Sequence, residues 1–245
     1  MKYAALLLLF AGLSWAEDDA APDPAKLLND LTAANAAKDV GAITQLLKPI
    51  TEVGKTSKEA GVVNGLAKEL GGSFKVCKGN WGTLKKIAEA LGELRSKSGA
   101  KALKKYAFLK KAKNEDEEGL QAAAVLAIGK MADPKLIDRI GDTCKSKSVH
   151  VAKAGYQAFQ GYGTAKGKVR KKCAELLMKR IDMEFPSNAP GKSVSAEAQE
   201  RWQQLSSVIV ASMQVICREP TINDVPNWRE WWKENKGRSK SWKDA

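Results

Sequence analysis

The stretch Leu120–Gly129 (LQAAAVLAIG) returns at Val151–Gln160 (VAKAGYQAFQ), with alanines and large apolar residues in matching places. A shorter copy ends in Ala88–Gly92 (AEALG), and a degraded one runs from Val62 to Gly71. Self-similarity at an offset inside the ~20–50-residue window restricts a chain severely. Each unit carries one apolar face that it cannot bury alone, so units must stack to share a core.

The periodicity within the units is helical. Leu27, Leu28 and Leu31 fall on one helix face, and Ile43, Leu46, Leu47 and Ile50 on the next. Thr56 and Glu59 form a capping-box pattern that predicts a helix to about Leu70, stopped by Gly71 and Gly72. Asn80 predicts the cap of a helix holding Leu84, Ile87, Leu91 and Leu94, and Ser98-Gly99 turns the chain into a partner with Leu103, Tyr106 and Leu109. The acidic run after Asn114 suits a helix start, because the N-terminal end of a helix dipole favours negative charge. Further helices are expected over about 117–132, 149–162, 166–184 and 195–218, with Leu136, Ile137 and Ile140 on another after Asp133-Pro134 and a short one from Pro226. No stretch alternates with the period of two that a strand requires. The expected class is all-α: a superhelix, or α-solenoid, of stacked antiparallel helix pairs.

Alanine-rich first helices ending in Ala-x-x-Ile-Gly or Ala-Leu-Gly, with Asp-Pro soon after, resemble HEAT repeats of the short bacterial, phycobilisome-lyase-like kind. Leu120–Ile140 matches best, then Ile87–Leu109, then Val151–Leu177 with Gln160 where that pattern has Gly. The resemblance implies paired helices in a right-handed superhelix, the second helix of each pair lining a concave surface. Proteins of this kind are mostly scaffolds and binders.

The ends of the chain read differently. Met1 and Lys2 precede an apolar run from Ala4 to Leu13, and Ser14-Trp15-Ala16 is a small-x-small ending. This predicts a signal peptide over 1–16, cleaved after Ala16, and a secreted or periplasmic protein. The run is shorter than the ~20 residues of a membrane-spanning helix. Residues 17–24 read as a disordered acidic lead-in, 25–219 as the repeat domain, 220–235 as a Trp-rich capping helix and 236–245 as a flexible basic tail, with Trp242 among its lysines.

A net charge of +13 favours anionic partners. The lysines concentrate on the second helices: Lys101, Lys104 and Lys105 (with Lys110 and Lys111 beyond), then Lys135, Arg139 and Lys145, then Lys168, Arg170, Lys171 and Lys172. They are either solvated helix faces or one basic groove. Trp228, Trp231 and Trp232 share one helical face, which serves either as a cap over the last repeat or as an aromatic platform for sugars or peptides, with Trp202 close enough in the chain to join either.

Nothing in the chain asks for a cofactor, a metal or catalysis. Cys77, Cys144, Cys173 and Cys217 stand too far apart in sequence for the close pairs of a zinc site, while Cys144 and Cys173 are spaced by nearly one repeat, which permits a disulfide between neighbouring helices. His150 is the only histidine. Gly161–Lys168 imitates a phosphate loop, but its glycines are wrongly spaced and Val169 stands where Ser or Thr would bind magnesium. Asp182 and Glu184 fall on different helix faces and read as surface charge. The expected function is a monomeric, non-catalytic scaffold whose basic concave face binds an acidic or extended protein partner. The alternatives are a binder of polyanions (nucleic acid, anionic glycan or membrane lipid) and a glycan binder using the tryptophans.

Overall fold

The computed structural model of the chain describes residues 22–57, 59–186 and 194–244. Among them, every regular element is helical: α1 (Pro24–Ala37), α2 (Val40–Thr56), α3 (Ala60–Val76), α4 (Trp81–Leu94), α5 (Lys97–Ala107), α6 (Glu115–Met131), α7 (Ile137–Thr143), α8 (Val149–Ala158), α9 (Gly167–Glu184), α10 (Ala196–Cys217) and α11 (Val225–Asn235). Short 3₁₀ turns occupy Pro134–Leu136, Phe159–Tyr162 and Ser239–Trp242. The leader and residues 17–21 of the lead-in lie outside the described residues. The last two lead-in positions belong to the fold: Asp23 caps α1 by accepting the Ala25 N–H at 2.9 Å, and Pro24 takes the first helical position.

The helix starts follow local chemistry. Asn80, Asn114, Ser148, Ser195 and Asp224 each accept a backbone N–H of the first turn through a side-chain oxygen. The capping box at Thr56 and Glu59 does not form. Thr56 closes α2 instead, its hydroxyl donating to the Glu52 carbonyl at 2.8 Å, and Glu59 precedes α3 without a side-chain cap. Gly71 and Gly72 do not stop α3, which runs on to Val76. A methyl added at Gly71 would lie 3.1 Å from the Ala102 Cβ, so the residue's smallness lets α3 approach α5. Ser98 and Gly99 likewise sit inside α5, behind its cap Ser96.

Packing alternates along the chain. Helix α2 packs on α4, α4 on α6, α6 on α8 and α8 on α10, while α1 packs on α3 and α3 on α5. The core lies between these two rows and is filled from both, by Ile43, Ile50, Ile87, Leu91 and Ile128 on even helices and by Leu31, Leu66, Leu70, Leu103 and Leu177 on odd ones. Each such side chain contributes about 1.5–3 kcal/mol on burial.

The even row is the tighter. A methyl on Gly92 would meet the Ala127 Cα at 2.9 Å, one on Gly129 the Ala158 carbonyl oxygen at 2.5 Å, and one on Gly161 the Gly129 carbonyl oxygen at 2.0 Å. The glycine that ends the repeated phrase is therefore a contact residue. In the copy at Val151–Gln160 it moves one place on, from Gln160 to Gly161, where the helix tightens into its 3₁₀ turn.

A polar cluster ties α8, α9 and α10 together. Arg201 on α10 grips Glu184 through two nitrogens at 2.7 and 3.0 Å, and the Tyr156 hydroxyl of α8 donates to the same carboxylate at 3.3 Å. Glu184 is thus a tie between helices rather than free surface charge. Asp182 pairs with Arg229 of α11 at 2.9 Å.

Candidate functional site

The lysines expected on the second helices fall on odd-numbered helices. Lys101 and Lys105 are exposed on α5 and Lys104 is half-buried beside them. Lys135 and Arg139 are exposed in the 3₁₀ turn and α7, and Lys168 and Lys172 on α9, where Lys171 is half-buried. Lys172 reaches back to Asp138 of α7 at 2.6 Å. Arg170 does not belong to this face. It is 1 % exposed and donates to the carbonyls of Ile216 and Lys243, both at 3.0 Å.

Between α5 and α7 the odd row opens. These two helices lack the packing that joins α3 to α5, and the segment after α5 borders a cleft of about 720 Å³. Its floor includes Phe108, Leu109 and Val151, and its rim carries Lys110, Lys111, Arg139, Lys145 and Lys147. The Arg139 guanidinium lies 4.0 Å from the centre of the Phe108 ring. Two carboxylates enter the cleft and both are engaged: Asp142 with Lys145 at 2.6 Å, and Glu118 with the Ser148 hydroxyl at 2.6 Å. Gln121 fixes the wall by donating to the carbonyls of Ala107 (3.3 Å) and Leu109 (3.1 Å). Sequence reasoning missed Phe108, Gln121 and Lys147 as members of one site. The available signal was the pair Lys110-Lys111 directly following Phe108-Leu109.

A second groove, of about 820 Å³, crosses α4, α6 and α8. Ala122, Ala123, Leu126 and Ala127 line it, with Lys85, Lys130, Lys153 and His150 around them. Its charge is partly balanced internally, because Lys85 faces Asp116 at 3.7 Å and Lys130 pairs with Glu93.

The tryptophans form a packed corner. Trp228 is fully buried and has no face to offer a ligand, while Trp231 and Trp232 are half-buried. Trp242 is also buried, edge-on to Trp231 at 5.9 Å and to Trp232 at 6.1 Å between ring centres. The C-terminal segment is therefore not a free basic tail through Asp244. Its Trp242 indole donates to the Asn235 carbonyl at 3.1 Å, and Asp244 accepts the Gly167 N–H that opens α9. Trp202 stays apart, edge-on to Phe185 at 5.2 Å.

The bridge between Cys144 and Cys173 is not formed: all four cysteines are free and buried. Cys144 ends α7 under Gly155 of α8, and Cys173 faces the core from α9. Burial pushes the Cys173 thiol up to about 12 and raises those of Cys144 and Cys217 as well. The folded protein is accordingly expected to resist a thiol-titrating disulfide reagent near pH 8, since the thiolate is the reactive form. In denaturant all four thiols of the chain should titrate. Two instead of four would reveal a disulfide.

Among the described residues no cluster of three metal-ligating side chains occurs, and no helix is long and apolar enough to cross a membrane. Comparison with models of known protein families gives no match, and a search of curated proteins gives none either.

Proposed function

We propose that this chain is a non-catalytic scaffold built as a HEAT-like helical stack, which binds an acidic protein partner through the basic face of α5, α7 and α9. The observation that carries the reading is the α5–α7 cleft, where Lys110, Lys111, Arg139, Lys145 and Lys147 stand around Phe108 and Leu109, against Asp142, which is ion-paired, and Glu118, which is hydrogen-bonded. The alternating contacts of even and odd helices support the stacked-repeat reading. The spacing also argues for which side is hollow. A stack held closer along one row curves toward that row, so the alanine-lined groove of α4, α6 and α8 takes the inner side and the lysines the outer. The basic face is then convex, unlike the concave lysine face that the HEAT resemblance implies. The leader-like start over 1–16 supports an exported protein, and the balance of +13 supports anionic partners in general.

The test is a cross-linking pull-down from a native envelope fraction with residues 17–245 as bait, over a salt series and beside a Lys101→Glu/Lys104→Glu/Lys135→Glu variant. A discrete protein that cross-links near Lys104, Lys135 or Lys171, survives high salt and is lost with the variant is the expected result. Recovery of nucleic acid or anionic polymer alone, released steeply as salt rises, would replace the scaffold with a polyanion binder.

A further inference from the structure

We infer that the α5–α7 cleft seats a short acidic peptide segment that sets one apolar side chain against Leu109 and the uncovered edge of Phe108, beside Arg139. The inference rests on the basic-face reading and narrows it to one place and one ligand chemistry.

The charge is asymmetric. Lys145 is met by Asp142, but Lys110, Lys111 and Lys147 have no ion-pair partner among the described residues, and with Arg139 they outnumber the one carboxylate left without a cation, Glu118, which accepts the Ser148 hydroxyl. Cations gathered in a concavity with low-dielectric walls focus their field, so a carboxylate gains more there than on an open helix face. The floor decides between anions. A polyphosphate or sulfated glycan would use the lysines and gain nothing from Phe108 and Leu109, and a nucleic-acid base would find one face of the Phe108 ring already covered by Arg139. A peptide carrying an apolar residue between carboxylates uses both.

Arg139 joins the two chemistries, because a guanidinium stacked on an aromatic face keeps its outer N–H groups free for a carboxylate. The wall is already set. Besides the Gln121 bonds, Glu117 accepts the Lys113 N–H at 2.7 Å, which pins the far end of the segment. A site ordered before binding loses less conformational entropy when it binds. The groove on α4, α6 and α8 lacks this asymmetry, since two of its lysines already pair across helices.

The experiment uses the whole chain from residue 17 and two fluorescent seven-residue peptides, one with Leu flanked by three acidic residues on each side and one with Ser in its place. Fluorescence anisotropy should show the Leu peptide binding at least about tenfold more tightly, the ratio expected from burying one Leu side chain. Leu109→Asp and Arg139→Glu should each weaken it by about tenfold or more. Lys26→Glu, an exposed charge change on α1, should leave it within about twofold. Equal binding of the two peptides, indifference to Leu109→Asp and Arg139→Glu, or no binding up to about 1 mM would each overturn the inference. The pull-down tests the wider face independently. A partner lost with the Lys101/Lys104/Lys135 reversal but unaffected by Leu109→Asp would leave the face reading standing and remove the cleft.

Discussion

Replacing Gly129 with Ala is expected to destabilise the protein by about 1–3 kcal/mol, the usual cost of forcing an extra carbon into a packed contact. The sign is the informative part. In a helix interior, Gly→Ala ordinarily gains about 1 kcal/mol from propensity. At Gly129 the added carbon would lie 2.5 Å from the Ala158 carbonyl oxygen and 2.6 Å from its Cα. Both are backbone atoms, so no rotamer change relieves the clash and α6 must move off α8. Gly61 supplies the contrast. It lies in the first turn of α3 with nothing within 4 Å of an added carbon, so Gly61→Ala should be neutral or stabilising by up to about 1 kcal/mol. Urea unfolding of both variants decides the matter. If Gly129→Ala raises the midpoint as Gly61→Ala does, the close approach of α6 and α8 is not what holds the even row together.

This contrast also shows where the sequence was readable. The helical class and most helix starts follow from short-range chemistry, as with Asn80, Asn114 and Ser148, whose side chains cap the helices that begin beside them. Helix ends were harder. Lys38, Arg95, Ala132 and Arg218 close α1, α4, α6 and α10 in the left-handed region, with φ between 47° and 60°, where a glycine would have been the usual signal. Glycines such as Gly71, Gly92 and Gly129 instead serve contacts between helices, which a local pattern cannot distinguish from a stop.

The candidate site was legible as a charge bias and not as a shape. Lys135 and Arg139 advertise a basic face, but the cleft exists because α5 and α7 part, and no residue encodes that alone. Arg170 was misplaced for the same reason. Among Lys168, Lys171 and Lys172 it looks like one more surface cation, and its partners stand far along the chain at Ile216 and Lys243.

Arg170→Ala is expected to cost about 2–4 kcal/mol, because each hydrogen bond from a charged donor is worth about 1.5–3 kcal/mol and some of that returns as water enters. The side chain holds the end of α10 and the C-terminal segment at once, with its guanidinium 5.9 Å from the centre of the Trp242 ring. Burial, and then the neighbouring charge of Arg218, pull its pKa below the usual arginine value; the two carbonyls satisfy the terminal nitrogens, while the buried Nε has no partner. Arg170→Lys keeps a charge but lacks the planar fork that reaches both carbonyls, so its loss should fall between wild type and Ala. Ending the chain at Gly237 removes Lys243, Trp242 and Asp244 together and uncovers the same guanidinium from the other side. If the arginine and the segment act as one latch, the two changes combined should cost about 0.5–3 kcal/mol less than their sum. Both should also shift tryptophan emission to the red, as Trp231 and Trp232 lose their edge contacts with Trp242. Additive losses with unchanged emission would mean that the segment rests on the stack without bracing it, and that Arg170 serves α10 alone.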